Sequence, residues 1–452
     1  MTPKGPLGKE RPPVKPSFLD SKAIPAALED LFPQSIVLEL AKKSGYLKRK
    51  RIFDPYYMLW TLILGFGITL ERTLAGAKRQ YQEITDTELS YSTWYEKFTP
   101  ELVKFLRSCV ALALSKTAQE VNRPLGEKMK HFEDVVIQDS TIVRLHKALA
   151  KIWPATRSRK VAAGVKLATL ISAVANGIRT VAIYGERIGE VKTIRIGKWI
   201  ENKVILLDLG YFKYQLFARI VDNGGFFVSR LKNNADPMIE SSLKVHRGRA
   251  IDLGGKRWSD VKDLLMREVL DAEVSMAFKR RKYKGKITGD TLNLRLVAIY
   301  NTDEKRYPVY ITNILQDILS AEDVAALYSV RWEIELVFKE LKSRYSLDLV
   351  KTTNEHIAEG LIWTAILTMI VSRRLYNLLR SAVPKDKLHR YTPLLWAIVF
   401  VETSHILRDV MTEFFQAGQD QDKMLDKLAW LWETQAISPH VNRKHLSDKL
   451  EA

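Results

Sequence analysis

From Pro25 to about Lys130 the apolar residues recur at helical spacing, with no strand-like alternation and few turn signals. The texture changes at Phe132, where short β-branched runs begin: Val135-Val136-Ile137, then Val165 to Val174, then Ile178 to Tyr184. Asn176-Gly177, between the second and third runs, predicts a hairpin turn. A helix-like stretch from Val191 to Asn202 leads into the apolar run Val204-Ile205-Leu206-Leu207, read as a buried strand. A second helical pattern, Tyr211 to Val221, stops at Asn223-Gly224-Gly225, and Phe226-Phe227-Val228 forms a fifth strand. Three strands, a helix, a strand, a helix and a strand predict an α/β fold: a mixed sheet with helices packed on its faces. Between about Asn233 and Asp303 the chain is polar and turn-rich, with alternation at Glu273–Phe278 and Leu292–Ile299, which predicts an inserted β-rich segment. A long helix is expected from about Ala321, and the remainder to Ala452 reads as helical.

Charge changes the picture more than composition does. The chain has 452 residues, 46% hydrophobic and 27% charged, as a folded protein with a substantial core would. Lys and Arg together number 71 against 52 acidic residues, a formal charge of +19. A surplus of that size favours a polyanionic partner, most commonly nucleic acid. Basic runs occur at Lys48-Arg49-Lys50-Arg51 and from Lys279 to Lys286. The single cysteine, Cys109, excludes an intrachain disulfide and a cysteine-based zinc cluster, and its apolar surroundings predict a packing role. Residues 1 to about 22 read as a flexible basic tail without a signal peptide's apolar core. The apolar runs Tyr56–Thr69 and Leu361–Ser372 fall short of the roughly 20 residues a bilayer span requires. Both are read as buried helices of a cytoplasmic protein.

Two carboxylates follow apolar strand runs: Asp139 in Val135–Thr141 and Asp208 in Val204–Tyr211. Either alone reads more readily as a turn or capping residue. As a pair on one sheet they suit magnesium, which takes hard oxygen ligands and usually one or two protein carboxylates. On a single helical wheel Tyr328, Arg331, Glu335 and Lys342 fall within an arc of about 60°, apart from an apolar stripe of Leu327, Val330, Ile334, Val337 and Leu341. Glu333 and Glu340 project elsewhere, so the wheel selects Glu335 from the three glutamates. The alternative is a solvated face with Glu335 and Lys339 as an i,i+4 pair.

The pattern Tyr328-x2-Arg331-x3-Glu335-x6-Lys342 resembles the YREK signature of one group of DDE transposases from bacterial insertion sequences. Asp139-Ser140-Thr141 is similar to that family's first-aspartate block, Asp208-x-Gly210-Tyr211 to its second, and Phe227-Val228-Ser229-Arg230 to the strand that follows. Leu209 stands where many relatives carry Arg. The resemblance, over roughly residues 130 to 375, implies a ribonuclease H-like core interrupted by a β-rich insertion. It implies a helical DNA-binding region at 23–130, a core at 131–232 and 304–375, the insertion at 233–303, and a helical region at 376–452 that is a candidate for dimerisation. It further implies that Asp139, Asp208 and Glu335 hold two Mg²⁺ ions, for which Mn²⁺ would substitute. Arg331, Lys342 and Tyr328 would contact the DNA backbone, Trp332 would stack a displaced base, and Arg230 and Lys232 would also touch DNA. The implied partners are double-stranded DNA (terminal inverted repeats and target) and a second copy of the chain, in the bacterial nucleoid. A DNA-binding derivative that no longer cuts, or another ribonuclease H-like nuclease, are the competing expectations.

Overall fold

The computed structural model describes residues 17–48, 53–66, 73–156, 162–243, 245–246, 249–250, 252–280, 287–348, 350–416, 421–439 and 450. Most of the N-terminal tail, residues 49–51 of the first basic run and residues 281–286 of the second lie outside these.

The N-terminal region is helical, as its periodicity predicts: α1 (Ala23–Leu31), α2 (Gln34–Lys43), α3 (Pro55–Trp60, continued by a π turn to Phe66), α4 (Leu74–Thr85), α5 (Tyr91–Tyr95) and α6 (Pro100–Thr117). Local chemistry sets the starts. Asp54, Thr73, Ser90 and Thr99 each accept a hydrogen bond from the first turn of the helix they precede, and Pro55 and Pro100 occupy first-turn positions where no N–H is needed. Cys109, on α6, is fully buried, and burial pushes its thiol far above the usual range. The native protein is expected to resist alkylation by iodoacetamide and to take up one equivalent once unfolded; rapid labelling of the native form, followed by mass spectrometry, would contradict this packing.

The sheet strands are β1 (Asp134–Leu145), β2 (Ala163–Ser172), β3 (Gly177–Gly185), β4 (Lys203–Leu207), β5 (Phe226–Arg230) and β6 (Met238–Ser242). A small hairpin of β7 (Val245–His246) and β8 (Arg249–Ala250) stands apart, and β9 (Val269–Lys279), β10 (Gly289–Ile299) and β11 (Val309–Thr312) complete the set. The order is β3-β2-β1-β4-β5-β11-β10-β9-β6. β1–β3 form an antiparallel meander, β4 and β5 add in parallel, and the later strands are antiparallel. The first five strands give the mixed, ribonuclease H-like order that the sequence predicts. β11, beyond the expected insertion, pairs with both β5 and β10, so the sheet runs on from the first five strands into β10, β9 and β6.

Alternation along the strands builds a core on each face. Val136, Ile205, Leu207 and Phe227 face α7 (Tyr214–Asp222), where Phe217 stacks on Phe227 with ring centroids 4.3 Å apart. Val135, Ile137, Val204, Leu206 and Val228 share the opposite core with helices of both terminal regions. After the short α8 (Trp258–Val261) the remaining helices are α9 (Ala321–Ser329), α10 (Trp332–Ser343), α11 (Glu355–Ala382), α12 (Pro393–Gln416) and α13 (Gln421–Gln435). Among the described residues α11 is the one helix long and apolar enough to cross a membrane, and it is mostly buried inside the protein.

Two expectations fail. Val191–Asn202 is not a helix but an irregular connection with two single 3-10 turns, Glu190–Lys192 and Lys198–Ile200. Gly197, extended at φ −160°, interrupts any helical run there. The long helix from Ala321 is also broken, at Val330-Arg331, by short-range bonds from Val330 N–H to the Leu327 carbonyl and from Arg331 N–H to the Tyr328 carbonyl, each 3.0 Å. This tighter step turns more per residue than an α-helix does, and it re-aims the polar face of α10.

Candidate active site

Register brings the two aspartates together. β1 and β4 run parallel with Gln138 opposite Leu207, so the next residue on each strand is an aspartate. Asp139 does not end its strand, as the sequence suggested. β1 continues to Leu145 alongside β2, with Asp139 opposite Thr169, and only β4 stops. Asp208 precedes the 3-10 turn Leu209–Tyr211, yet its side chain makes no capping hydrogen bond to that turn. The capping explanation for this carboxylate therefore fails.

The break before α10 points Arg331 at the aspartates. Its guanidinium donates to Glu335 Oε1 at 3.0 Å and to Asp139 Oδ2 at 3.5 Å, bridging the helix and the sheet. Glu335 thus pairs with Arg331 and not with Lys339. The two glutamates that the wheel set aside have partners of their own. Glu333 meets the buried Arg123 at 3.3 Å, and Glu340, fully buried, pairs with Arg373 and accepts from the Tyr345 hydroxyl at 3.0 Å.

The electrostatics follow from crowding. Burial raises the Asp139 carboxyl to about 6, opposed by the Ser140 N–H and by Arg331 and reinforced by the charges of Asp208 and Glu190. Burial works against the charge on Arg331, but Tyr328, Glu335, Asp208 and Asp139 together hold its pKa up. Carboxylates this close repel one another unless a cation intervenes. Here Arg331 is that cation, and among the described residues no three acidic, His or Cys side chains converge into a metal cage around it. The donor set of Asp139, Asp208 and Glu335 is nonetheless all carboxylate oxygen, as Mg²⁺ or Mn²⁺ requires. Asp208 is uncommitted by any cap, and Glu335 keeps its side chain 39% exposed.

The other predicted residues divide by position. Tyr328 is buried, packs against Tyr310 and donates from its hydroxyl to the Leu207 carbonyl at 3.4 Å, next to Asp208. Trp332 is 50% exposed at the start of α10, so it is not a core-packing tryptophan. Arg230 ends β5 within the field of Tyr328 and Tyr310. Lys232 lies over the Phe212 ring, 5.9 Å from its centroid. Lys342 is about 10 Å further along α10 than Glu335, where burial lowers its pKa, Asp348 opposes the shift and Arg144 adds to it.

Sequence reading missed Glu190, which comes to this site from the connection between β3 and β4. Its carboxylate receives the Ser140 hydroxyl at 3.4 Å and lies against Gly210, where a Cβ would overlap it. No periodicity or motif marks that glutamate.

Residues 130–371 match the model of the family described as transposase DDE domain. Over much of its length the chain is similar to curated transposases of insertion sequences. One is the transposase for insertion sequence element IS231B of Bacillus thuringiensis subsp. berliner, 22% identical over 78% of this chain and 80% of that one. Another is the transposase for IS1151 of Clostridium perfringens, 22% identical over 90% of this chain and 95% of that one. The probable transposase for IS5377 of Geobacillus stearothermophilus is 22% identical over 64% and 67%. The matched segment spans β1 to α11, including both aspartate blocks and the whole of α10, and the chain belongs to the DDE-domain transposases of bacterial insertion sequences.

Proposed function

We propose that this transposase cuts DNA at the terminal inverted repeats of its own element and joins the freed 3′-hydroxyl ends to target DNA, by a cut-and-paste route. The single observation that carries this reading is the pairing register that sets Asp139 beside Asp208, with Arg331 linking Asp139 to Glu335. Asp139, Asp208 and Glu335 would hold two Mg²⁺ ions, or Mn²⁺ in their place. Bound there, the ions supply activation of the attacking water or 3′-hydroxyl and stabilisation of the leaving oxygen.

The chain's own residues position the DNA. In this reading Arg331 exchanges its carboxylate partners for a phosphate as the site loads, since a guanidinium fits either fork equally well. Arg230, Lys232 and Lys342 contact phosphates along the same edge, and such contacts fix register without reading sequence. Trp332 offers an open indole face on which an unstacked base can lie. Tyr328 acts from behind, holding the β4 end that carries Asp208. Its place in the Tyr-Arg-Glu-Lys spacing supports membership of the YREK group. We assign the active complex as a homodimer on double-stranded DNA, with the region from 376 as a candidate for dimerisation and the nucleoid as its place of action.

The test is cleavage of duplex DNA carrying the repeats that flank the coding sequence. Nicking or hairpin formation with Mg²⁺ or Mn²⁺, and none in EDTA, is the expected result. Tight binding of those ends without cleavage in either metal would favour a DNA-binding derivative that no longer cuts.

A further inference from the structure

Glu190 opens a single 3-10 turn, Glu190–Lys192, and is held there from two sides. On one side its carboxylate accepts from the Ser140 hydroxyl at 3.4 Å, and the Ser140 N–H is itself donated to Asp139 at 2.7 Å. On the other side the carboxylate occupies the space that a side chain at position 210 would fill, in the turn directly after Asp208. The turn is anchored as well. Thr193 donates its hydroxyl to the Glu190 carbonyl at 2.7 Å and lies 3.4 Å from the Tyr211 hydroxyl, which accepts from Gln138 Nε2 at 3.3 Å. Gln138 directly precedes Asp139 and Tyr211 lies in the turn after Asp208, so one short network ties Glu190 to both aspartate segments.

The Glu190 charge reaches Asp139 and adds to the repulsion there, and a divalent cation at the same place relieves it. Changing a group that orients metal-ligating carboxylates from behind commonly costs about 10–100-fold in metal affinity or activity. We propose that Glu190 is a positioning residue of this site: it holds the Asp139-Ser140 and Asp208-Gly210 segments together and adds the negative charge that draws divalent cations to the two aspartates. The inference rests on the reading of Asp139 and Asp208 as cation ligands.

The test is Mn²⁺ binding to the full-length protein, with and without end DNA, followed by the electron paramagnetic resonance of free Mn²⁺. Glu190→Gln is expected to weaken Mn²⁺ binding about tenfold. In the cleavage assay it should raise the half-saturating Mn²⁺ concentration by a similar factor while the rate at saturating Mn²⁺ stays near wild type. Gly210→Ala keeps the charge but pushes the carboxylate off its seat, and it is expected to weaken binding in the same direction by a smaller factor. Binding within twofold of wild type in both variants overturns the proposal. Asp139→Asn separates the two levels. If the wild type binds Mn²⁺ and Asp139→Asn does not, the ligand reading stands and the Glu190 result is judged alone. If the wild type binds none in either condition, both readings fall.

Discussion

Glu335→Gln is expected to reduce end cleavage by about 10³-fold or more while leaving DNA binding within a few-fold of wild type. The substitution keeps the size of the side chain and removes the charge on one carboxylate. Glutamine can still accept from Arg331 Nη2, which Glu335 receives at 3.0 Å, so the N-terminal turn of α10 should keep its place. What is lost is an anionic oxygen donor for a divalent cation, and an amide oxygen is a much weaker one. The phosphate contacts assigned to Arg230, Lys232 and Lys342 do not involve Glu335, which is why binding should survive. Gel-shift and cleavage assays on the same duplex separate the two effects. Cleavage at wild-type rate by Glu335→Gln would remove Glu335 from the site.

The second large effect is on stability, about one and a half turns along the same helix. Glu340→Ala is expected to cost about 3–5 kcal/mol, because it strands the charge of a buried arginine. Glu340 and Arg373 are both buried, and they pair directly. Tyr345 donates to Glu340 and its hydroxyl also lies 2.7 Å from Ser372 Oγ, which accepts from the Trp396 indole at 2.9 Å. This network spans α10, α11 and α12, so it anchors the C-terminal half of α10. Burial pushes the Glu340 carboxyl up while Arg373 opposes the shift, and removing either partner alone is therefore worse than removing both. The double change Glu340→Leu with Arg373→Leu should recover much of the loss in denaturant unfolding. A loss below about 1 kcal/mol for Glu340→Ala would show that the pair does not anchor the helix. By contrast, breaking the exposed pair Lys43–Glu39 should leave stability nearly unchanged.

The parts of the fold legible in the sequence are those where a periodicity has one cause. Val204–Leu207 is apolar throughout because β4 is covered on both faces, and such a run reads as a buried strand. The second half of β1 was invisible because Ser140, Thr141 and Arg144 follow the demands of the site and of the sheet edge, not of a core. Val191–Asn202 carries apolar residues at helical spacing, yet Ile194 and Ile200 are buried from a loop that winds over the α7 face of the sheet. The wheel set Glu335 apart from Glu333 and Glu340, and the structure pairs the three with different arginines: Arg331, Arg123 and Arg373. It could not show the break at Val330-Arg331, after which Arg331 reaches Asp139 across the fold. Glu190 was beyond reach for a similar reason: its place beside Ser140 and Gly210 is made by tertiary contacts of an irregular turn.

The central claim is that Asp139, Asp208 and Glu335 together hold the divalent ions that cut DNA. Its most direct test is anomalous scattering from Mn²⁺ in crystals of the protein bound to its end DNA. The predicted result is anomalous peaks about 2.0–2.2 Å from carboxylate oxygens of Asp139, Asp208 and Glu335, with Arg331 turned away from the aspartate. Peaks found only elsewhere, with Arg331 still bridging Asp139 and Glu335 in the DNA-bound complex, would contradict it.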